Sequence, residues 1–551
     1  MKNDTDYTDN SLTKEQEMQI DALFTQYDNA DTPGCAVGVI QNGKFIYKKS
    51  FGMANLDYDI PITADSKFDI GSAAKQFTAA GIALLVLEKK LSLNDDIRKY
   101  IPEMNDFGNV ITIDHLLHHT SGLKDYTSLL NLSLNAQFSE FYFDNNDCLN
   151  LLFKQKDLNF KPGEMHSYSN SGYLLLGEII SRVSGISFAE YVTEKIFKPI
   201  GMYNSIIDEN SRKVQKNRVA SYYKIADHDF YRLLCTSDDL GAKGVVTTIN
   251  DLLLWDQNFY TGKVGGDNMI EMLTTQGLLN NGDRINYCLG LEVNNYKHLP
   301  IIGHDGGYLG FTASMMRFPE QNTSIIVLCN CAENISGLAY IIADIVLSST
   351  INSFIKPETL METKPELQIF NLNVGELDRF CGSFWSEEKK LQRKIFLKDG
   401  NLFYWRSEGS ESKLAPISKN ELAIIGSAHL VLRYEFNNDC KKFSFFENNI
   451  LKMTLNSYDP IEFNAEYLTN YVGNYFCEEM DVVYKLEIVS DKLVLFLKGK
   501  QISEIQAVMP NLFKVLEWDC IFEFTYNDKQ EIAGFQLDSD RIKNIKFVKQ
   551  S

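Results

Sequence analysis

The sequence holds no apolar run long enough to cross a bilayer as a helix. Even the run from Gly81 to Leu87 is stopped by Glu88-Lys89-Lys90, well short of the roughly 20 residues a helical span requires. Positive charge is also scarce. The 551 residues carry 54 Lys and Arg against 73 Asp and Glu, a formal charge of −19. That balance argues against nucleic acid or an anionic membrane as principal partner; a small-molecule or short-peptide substrate is the partner expected, with room for an oligomer. The stretch Met1-Lys2-Asn3-Asp4-Thr5-Asp6-Tyr7 is polar and lacks an apolar signal core, so a cytoplasmic location is expected unless a leader has been trimmed. Ten cysteines without regular spacing predict reduced core residues, not a disulfide framework. What the chain does have is bulk: 44% hydrophobic and 23% charged residues fit a globular protein with a sizeable core.

The rest of the chain is organised around Phe68-Asp69-Ile70-Gly71-Ser72-Ala73-Ala74-Lys75-Gln76-Phe77. The apolar residues that follow, among them Phe77, Ala80, Ala83, Leu84 and Leu87, are spaced as on a buried helix ending near Leu91 to Asp95. Ser72 then lies on the first turn, and Lys75, three residues on, shares its face. A serine alcohol needs a neighbouring base to become a nucleophile, and this pair supplies the first half of such a device. Ser-x-x-Lys also begins at Ser11, Ser121, Ser221, Ser353, Ser386 and Ser410, but none of these opens so long an apolar helical run. Set against a catalytic role is an ordinary capping serine beside a solvated lysine.

Upstream, Thr13-x-x-Gln16 reads as a capping box for a helix with Ile20, Leu23, Phe24 and Tyr27 on one face. Two strands, Cys35 to Ile40 and Lys44 to Lys49, flank Asn42-Gly43, a strong hairpin signal. Downstream, His115, His118 and His119 fall within five positions and invite a metal reading; with no cysteine near and Asp114 the only adjacent carboxylate, buried or loop-bonding histidines are the better expectation. Tyr168-Ser169-Asn170 is expected on a loop ahead of a helix over 173–183 closed by Gly185. Gly241-Ala242-Lys243-Gly244 reads as a tightly packed turn, with Asn250 capping the next helix. His304-Asp305-Gly306, the one His-x-Gly in the chain, sits between apolar runs that suggest strands, where the glycines would let a substrate's backbone approach.

Beyond a linker containing Lys356-Pro357 and Lys364-Pro365, the chain repeats itself. Leu377-x-x-Phe380-Cys381-Gly382-Ser383-Phe384 matches Leu468-x-x-Tyr471-Val472-Gly473-Asn474-Tyr475, and the same offset pairs Leu402 with Leu493 and Leu414 with Ile505. One residue of slip then pairs Tyr434 with Phe524 and Phe445 with Phe535. Short alternating strands in both copies predict two small β-barrels or strongly curved sheets. Neither copy holds a Ser, Lys and Tyr set, so both are expected to shape substrate access and not to catalyse.

Ser72-x-x-Lys75, Tyr168-x-Asn170 and His304-Asp305-Gly306, in that order, resemble the serine β-lactamase and penicillin-binding-protein family, in the branch of class C β-lactamases, esterases and D-aminopeptidases. The resemblance covers roughly residues 10 to 350 and includes Leu117-His118-His119-Thr120-Ser121-Gly122-Leu123. It implies an α/β fold of the α+β kind: an antiparallel sheet flanked by helices plus a helical subdomain over 1–351. A linker over 352–367 and lipocalin-like barrels over 368–460 and 461–551 complete the expected organisation. It implies Ser72 as acylated nucleophile, Lys75 as its proton partner, and Tyr168 as shared acid and base, favoured as phenolate by the nearby cation. Asn170, His304, Gly306 and Gly307 would hold substrate, with the backbone N–H groups of Ser72 and Gly307 as oxyanion hole. No metal or organic cofactor is expected.

The implied function is a serine hydrolase of amides or esters, a peptidase or aminopeptidase, D-specific or not, or an esterase. A β-lactamase or DD-carboxypeptidase is the enzyme alternative, and an inactive sensor or scaffold the alternative of another class. One departure weighs here: the usual Lys-Thr-Gly third motif, whose ammonium grips a carboxylate, is replaced by a histidine and an acid.

Overall fold

Asn42 and Gly43, both at positive φ (49° and 79°), turn strand β1 (Cys35–Gln41) into β2 (Lys44–Phe51), the hairpin expected from Asn-Gly. The computed structural model describes residues 12–134, 142–226, 229–331, 335–354, 369–407, 410–437, 440–460, 463–518 and 520–550. It divides into two compact units, Met1–Phe354 with Glu478–Val482 and Arg541–Asn544, and Ile355–Cys477 with Val483–Asp540 and Ile545–Ser551.

In the first unit, β1 and β2 join β3 (Glu292–Tyr296), β4 (Leu299–Tyr308), β5 (Phe311–Phe318) and β6 (Thr323–Cys329) in one antiparallel sheet ordered β3-β4-β5-β6-β1-β2. The adjacent interior strands β6 and β1 are buried along nearly their whole length, which explains their continuous apolar sequence. One sheet face packs on α1 (Lys14–Leu23), whose Thr13–Gln16 capping box forms as expected, and on a later helix, Ile335–Val346. Ile20, Phe24, Val37, Val39, Ile325, Val327, Ala339 and Ile342 meet there as one core.

Ser72 opens not an α-helix but a 3₁₀ turn, Gly71–Ala74, which leads into α2 (Lys75–Leu87). The helix stops at Leu87, short of the expected end, and Lys89 takes a left-handed φ of 57° just beyond it. A second buried helix, α3 (Asn170–Ser184), ends at Gly185 with φ 78°, the expected glycine stop. It begins three residues earlier than its apolar pattern indicated, so Asn170 is helical and not on a loop. The reason is remote: the Asn170 N–H donates to the Asp125 carboxylate at 2.6 Å, a cap supplied from 45 residues away. Another correction concerns α4 (Ile249–Thr261), which is capped by Thr248 and not by Asn250. The Asn250 amide is engaged instead with the Ala64 carbonyl and the Lys48 ammonium.

Two closed antiparallel barrels of eight strands follow, one between Gly382 and Tyr458, the other between Gly473 and Lys549, the first wholly and the second mostly within the second unit. Duplication is visible in the register. Leu402 pairs with Leu414 in the first barrel, and Leu493 pairs with Ile505 in the second. Each barrel is preceded by a short helix capped by an asparagine, Asn373 and Asn464, at the repeat's own offset. Farther on, Tyr434 pairs with Phe443 while Phe524 pairs with Phe535, so Phe443, not Phe445, occupies the place of Phe535. The linker expected over 352–367 falls on 355–367, outside the described residues, except for 352–354, which end a helix.

Among the described residues no single helix is long and apolar enough to cross a membrane; one pair, Ile335–Val346 and Ser348–Phe354, passes by length and composition together but is bent by 80°. Among the described residues, Cys148, Cys235, Cys288, Cys329 and Cys381 form no disulfide.

Candidate active site

Because Gly71–Ala74 is a tight 3₁₀ turn and Lys75 starts the helix, the Lys75 amine folds back onto Ser72, with Nζ 3.1 Å from Ser72 Oγ. Lys75 is otherwise sealed in, with 0% of its surface exposed. Nζ also donates to Asn170 Oδ1 at 2.9 Å and to the Ala242 carbonyl at 2.9 Å. Burial pulls the Lys75 ammonium down to about 7, against the Asp125 carboxylate, which pulls it up. An amine that titrates near neutrality has two N–H groups when unprotonated, and two carbonyl oxygens stand ready to accept them. Its lone pair is left for the Ser72 hydroxyl.

Tyr168 lies against this amine, with Lys75 Nζ 4.9 Å from the centre of its ring. The hydroxyl is buried and has no well-aligned hydrogen bond among the described residues, although Ser72 is near enough to pull its pKa down. Burial outweighs that pull and holds the phenol above its ordinary value. The phenolate expected from the neighbouring cation is therefore disfavoured, because the pocket desolvates both partners and the amine is the one that loses its charge.

In β4, side chains alternate, so His304 and Asp305 part company. His304 is buried: Nε2 lies 3.1 Å from the Tyr287 hydroxyl, Nδ1 lies 2.5 Å from the Asp305 carbonyl, and its ring centre is 6.0 Å from that of Tyr168. Burial, with Lys75 second, pulls the His304 imidazolium down to about 3, so it stands neutral beside the site. Asp305 faces outward and accepts from the Ser336 hydroxyl at 2.6 Å. The two glycines divide the remaining work. A Cβ on Gly306 would lie 1.9 Å from the Ile70 carbonyl, so this residue must be glycine for β4 to press on the Ser72 turn. A Cβ on Gly307 would meet nothing, so this residue alone matches the expectation of room for a substrate. Gly71, at φ 51°, would put a Cβ 2.7 Å from Gly307 N, which places the Gly307 N–H beside the Ser72 turn. A cavity of about 300 Å³ opens here, lined by Ser72, Asn170 and Gly307 with Tyr126, Phe143 and Lys243.

The three histidines do three local jobs. His115 Nδ1 accepts from the Thr112 N–H, His118 pairs with Asp114, and His119 Nδ1 accepts from the Ser169 N–H at 3.1 Å while its ring packs 4.2 Å from Tyr168. The last contact makes His119 part of the wall that fixes Tyr168, a task its sequence neighbours gave no sign of.

Two site residues were not legible in the sequence. Asp125, wholly buried, accepts from the N–H groups of Asn170, Thr127 and Ser128 and so sets the start of both Tyr126–Leu134 and α3. Ala242 contributes only a carbonyl, and its turn is tied down where Thr78 donates to the Gly241 carbonyl at 2.7 Å. A Cβ on Gly241 would lie 2.3 Å from the Tyr173 carbonyl, so the tight packing expected of this turn is present.

Comparison with known proteins agrees with this geometry. The Beta-lactamase family model matches residues 20–346. Penicillin-binding protein 4* of Bacillus subtilis (strain 168) is 30% identical over 310 residues, covering 53% of this chain and 67% of its own. A D-aminopeptidase of Gluconobacter oxydans (strain 621H) is 25% identical over 320 residues, covering 58% of this chain and 59% of its own. The chain thus spans between about three fifths and two thirds of these relatives' length. Among solved structures, the octameric penicillin-binding protein homologue of Pyrococcus abyssi shares the fold, at 20% identity and TM-score 0.53, covering 88% of this chain and 98% of its own. With a matched segment that carries Ser72, Lys75, Tyr168 and Asn170 and runs through the whole antiparallel sheet from β1 to β6, the chain belongs to the beta-lactamase family of serine hydrolases.

Proposed function

We propose that this protein hydrolyses amide or ester bonds through a Ser72 acyl-enzyme, and that its substrates are short peptides or aminoacyl amides. The observation that carries the reading is the Lys75 environment: two carbonyl acceptors at 2.9 Å, the nucleophile at 3.1 Å, and a proton affinity brought down to about 7. Neutral Lys75 takes the Ser72 proton as Oγ bonds to the substrate carbonyl carbon. Negative charge gathers on the carbonyl oxygen, where the N–H groups of Ser72 and Gly307 stabilise it. When the carbon–nitrogen or carbon–oxygen bond breaks, the Tyr168 hydroxyl protonates the leaving group and is refilled from the Lys75 ammonium. Water then enters in place of the leaving group, and the same groups run in reverse to release the acid and free Ser72.

The D-aminopeptidase relative favours an aminopeptidase, D-specific or not, over a simple esterase. A neutral, inward-facing His304 weighs against a β-lactamase or DD-carboxypeptidase that grips a carboxylate at the third motif. The test is mass spectrometry after incubation with a fluorophosphonate probe, together with a panel of D- and L-aminoacyl amides and short acyl esters. A single adduct on Ser72 and turnover of at least one amide series is expected; an adduct elsewhere, or none, overturns the reading in favour of a scaffold.

A further inference from the structure

A second cavity, of about 540 Å³, adjoins the Ser72 pocket and shares with it Tyr308 and Leu309, the two residues that follow Gly307. The partition between them is built and held. Leu309 has a left-handed φ of 42° and its carbonyl accepts from the Ser221 hydroxyl, while a Cβ on Gly310 would lie 2.4 Å from the Tyr222 carbonyl. Tyr308 donates to or accepts from Ser237 Oγ at 2.5 Å and carries Lys243 Nζ 4.2 Å over its ring.

The lining of this second cavity reverses the sign of the whole chain. Arg212, Lys213, Arg218 and Arg232 line it, with Asp69 the one acid among its lining residues. Burial pushes the Asp69 carboxyl up, toward its neutral form. The other acids nearby are committed: Asp208 to Arg218 at 2.6 Å, Asp57 to Arg232 at 3.1 Å, and Asp238 to the Tyr142 hydroxyl at 2.7 Å and the Ser211 N–H at 2.8 Å. Arg212 is steadied by stacking 4.3 Å over the Tyr142 ring. Ser211, also on the lining, has a buried hydroxyl without a hydrogen-bond partner among the described residues, and it can donate to an anion. Asp208 and Asp57 balance Arg218 and Arg232, which leaves Arg212 and Lys213 with no ion pair among the described residues, an excess of positive charge that suits an anion.

We propose that this cavity is a subsite of the Ser72 cleft that takes a carboxylate of the substrate, held by Arg212 and Lys213 on the far side of the Tyr308-Leu309 partition. The inference rests on the hydrolase reading of Ser72 and narrows its substrate class. A substrate whose carbonyl lies beside Gly307 and which runs along β4 reaches Leu309 after two residues, ~7 Å. The preferred substrate is therefore a peptide or acyl group with a carboxylate two or more residues from the bond that is cut. Carboxylate recognition, which a neutral His304 does not supply at the third motif, is moved to a different wall of the cleft.

The experiment uses the full chain and a matched pair of tripeptides with free amino termini, built on the first residue best turned over in the amide panel, one ending in a carboxylate and the other in the uncharged carboxamide. At low salt the wild type is expected to favour the carboxylate member about tenfold or more in kcat/KM. That ratio falls toward one in the Arg212→Gln/Lys213→Gln variant, both positions being exposed, and it shrinks with rising ionic strength. Equilibrium binding of the same pair to Ser72→Ala by calorimetry gives a readout without turnover, and the carboxylate member should again bind about tenfold more tightly. A ratio near one in the wild type with equal affinities for Ser72→Ala overturns the subsite, as does a preference that survives in the double variant. Fluorophosphonate labelling reports on the hydrolase reading separately: labelled Ser72 with no carboxylate preference sinks only the subsite, and tighter carboxylate binding without labelling sinks only the hydrolase.

Discussion

The Lys75 amine and the Ala242 carbonyl, 167 residues apart in sequence, meet at 2.9 Å. With Asn170 Oδ1 they take up two N–H groups and orient the remaining valence of Nζ toward Ser72. A base built in this way has to be uncharged to work. With the Lys75 pKa brought down to about 7 by burial, kcat/KM for a short neutral ester should rise with pH along a limb centred near pH 7 and flatten above it. A limb at pH 9 or higher would show that Lys75 stays an ammonium and serves only as a charge.

Asp125 pulls the other way on that proton, so its removal has a definite sign. Asp125→Asn keeps the shape while deleting the charge, and the acid limb should move to lower pH because the ammonium loses its stabilising partner. Since Asp125 also receives the Asn170 N–H, some turnover will be lost as well. The limb position separates the two effects, and an unmoved limb would remove Asp125 from the electrostatics of the site.

Tyr168→Phe deletes a hydroxyl whose polar neighbour among the described residues is Ser72 and not the scaffold, so the fold should not notice the change. Melting temperature is expected to stay near the wild-type value while turnover falls about 10² to 10⁴-fold, as for loss of a proton donor to the leaving group. Turnover close to wild type would hand the whole proton relay to Lys75.

Gly306 and Gly307 are neighbours with opposite demands. Gly306→Ala drives a Cβ to 1.9 Å from the Ile70 carbonyl and should cost about 1–3 kcal/mol, with slower Ser72 labelling as the turn is displaced. Gly307→Ala has open space for its methyl group and should lie within about 0.5 kcal/mol of wild type in denaturant unfolding. Its penalty should appear in substrate turnover instead. Equal stability losses in the two variants would mean that β4 does not press on the nucleophile's turn.

What lay open in the sequence is what short-range geometry settles. A three-residue spacing at a helical start brings Lys75 to Ser72, Asn-Gly closes β1 onto β2, and a duplicated apolar pattern repeats the same cross-strand pairs in both barrels, Leu402 with Leu414 and Leu493 with Ile505. These follow from backbone periodicity, which a few neighbouring residues carry by themselves. The charge state of the site follows from nothing local. Whether Lys75 is an ammonium or an amine depends on how completely α3 and the Gly241–Gly244 turn exclude water from it, and on a carboxylate delivered by Asp125. Which of two adjacent glycines touches backbone and which opens to the cleft depends on where β4 meets the Ser72 turn. Four cations scattered from Arg212 to Arg232 become one lining only when their segments, Arg232's a strand, close over the same hollow. Desolvation and long-range contact are properties of the packed chain, and tertiary structure alone decides them.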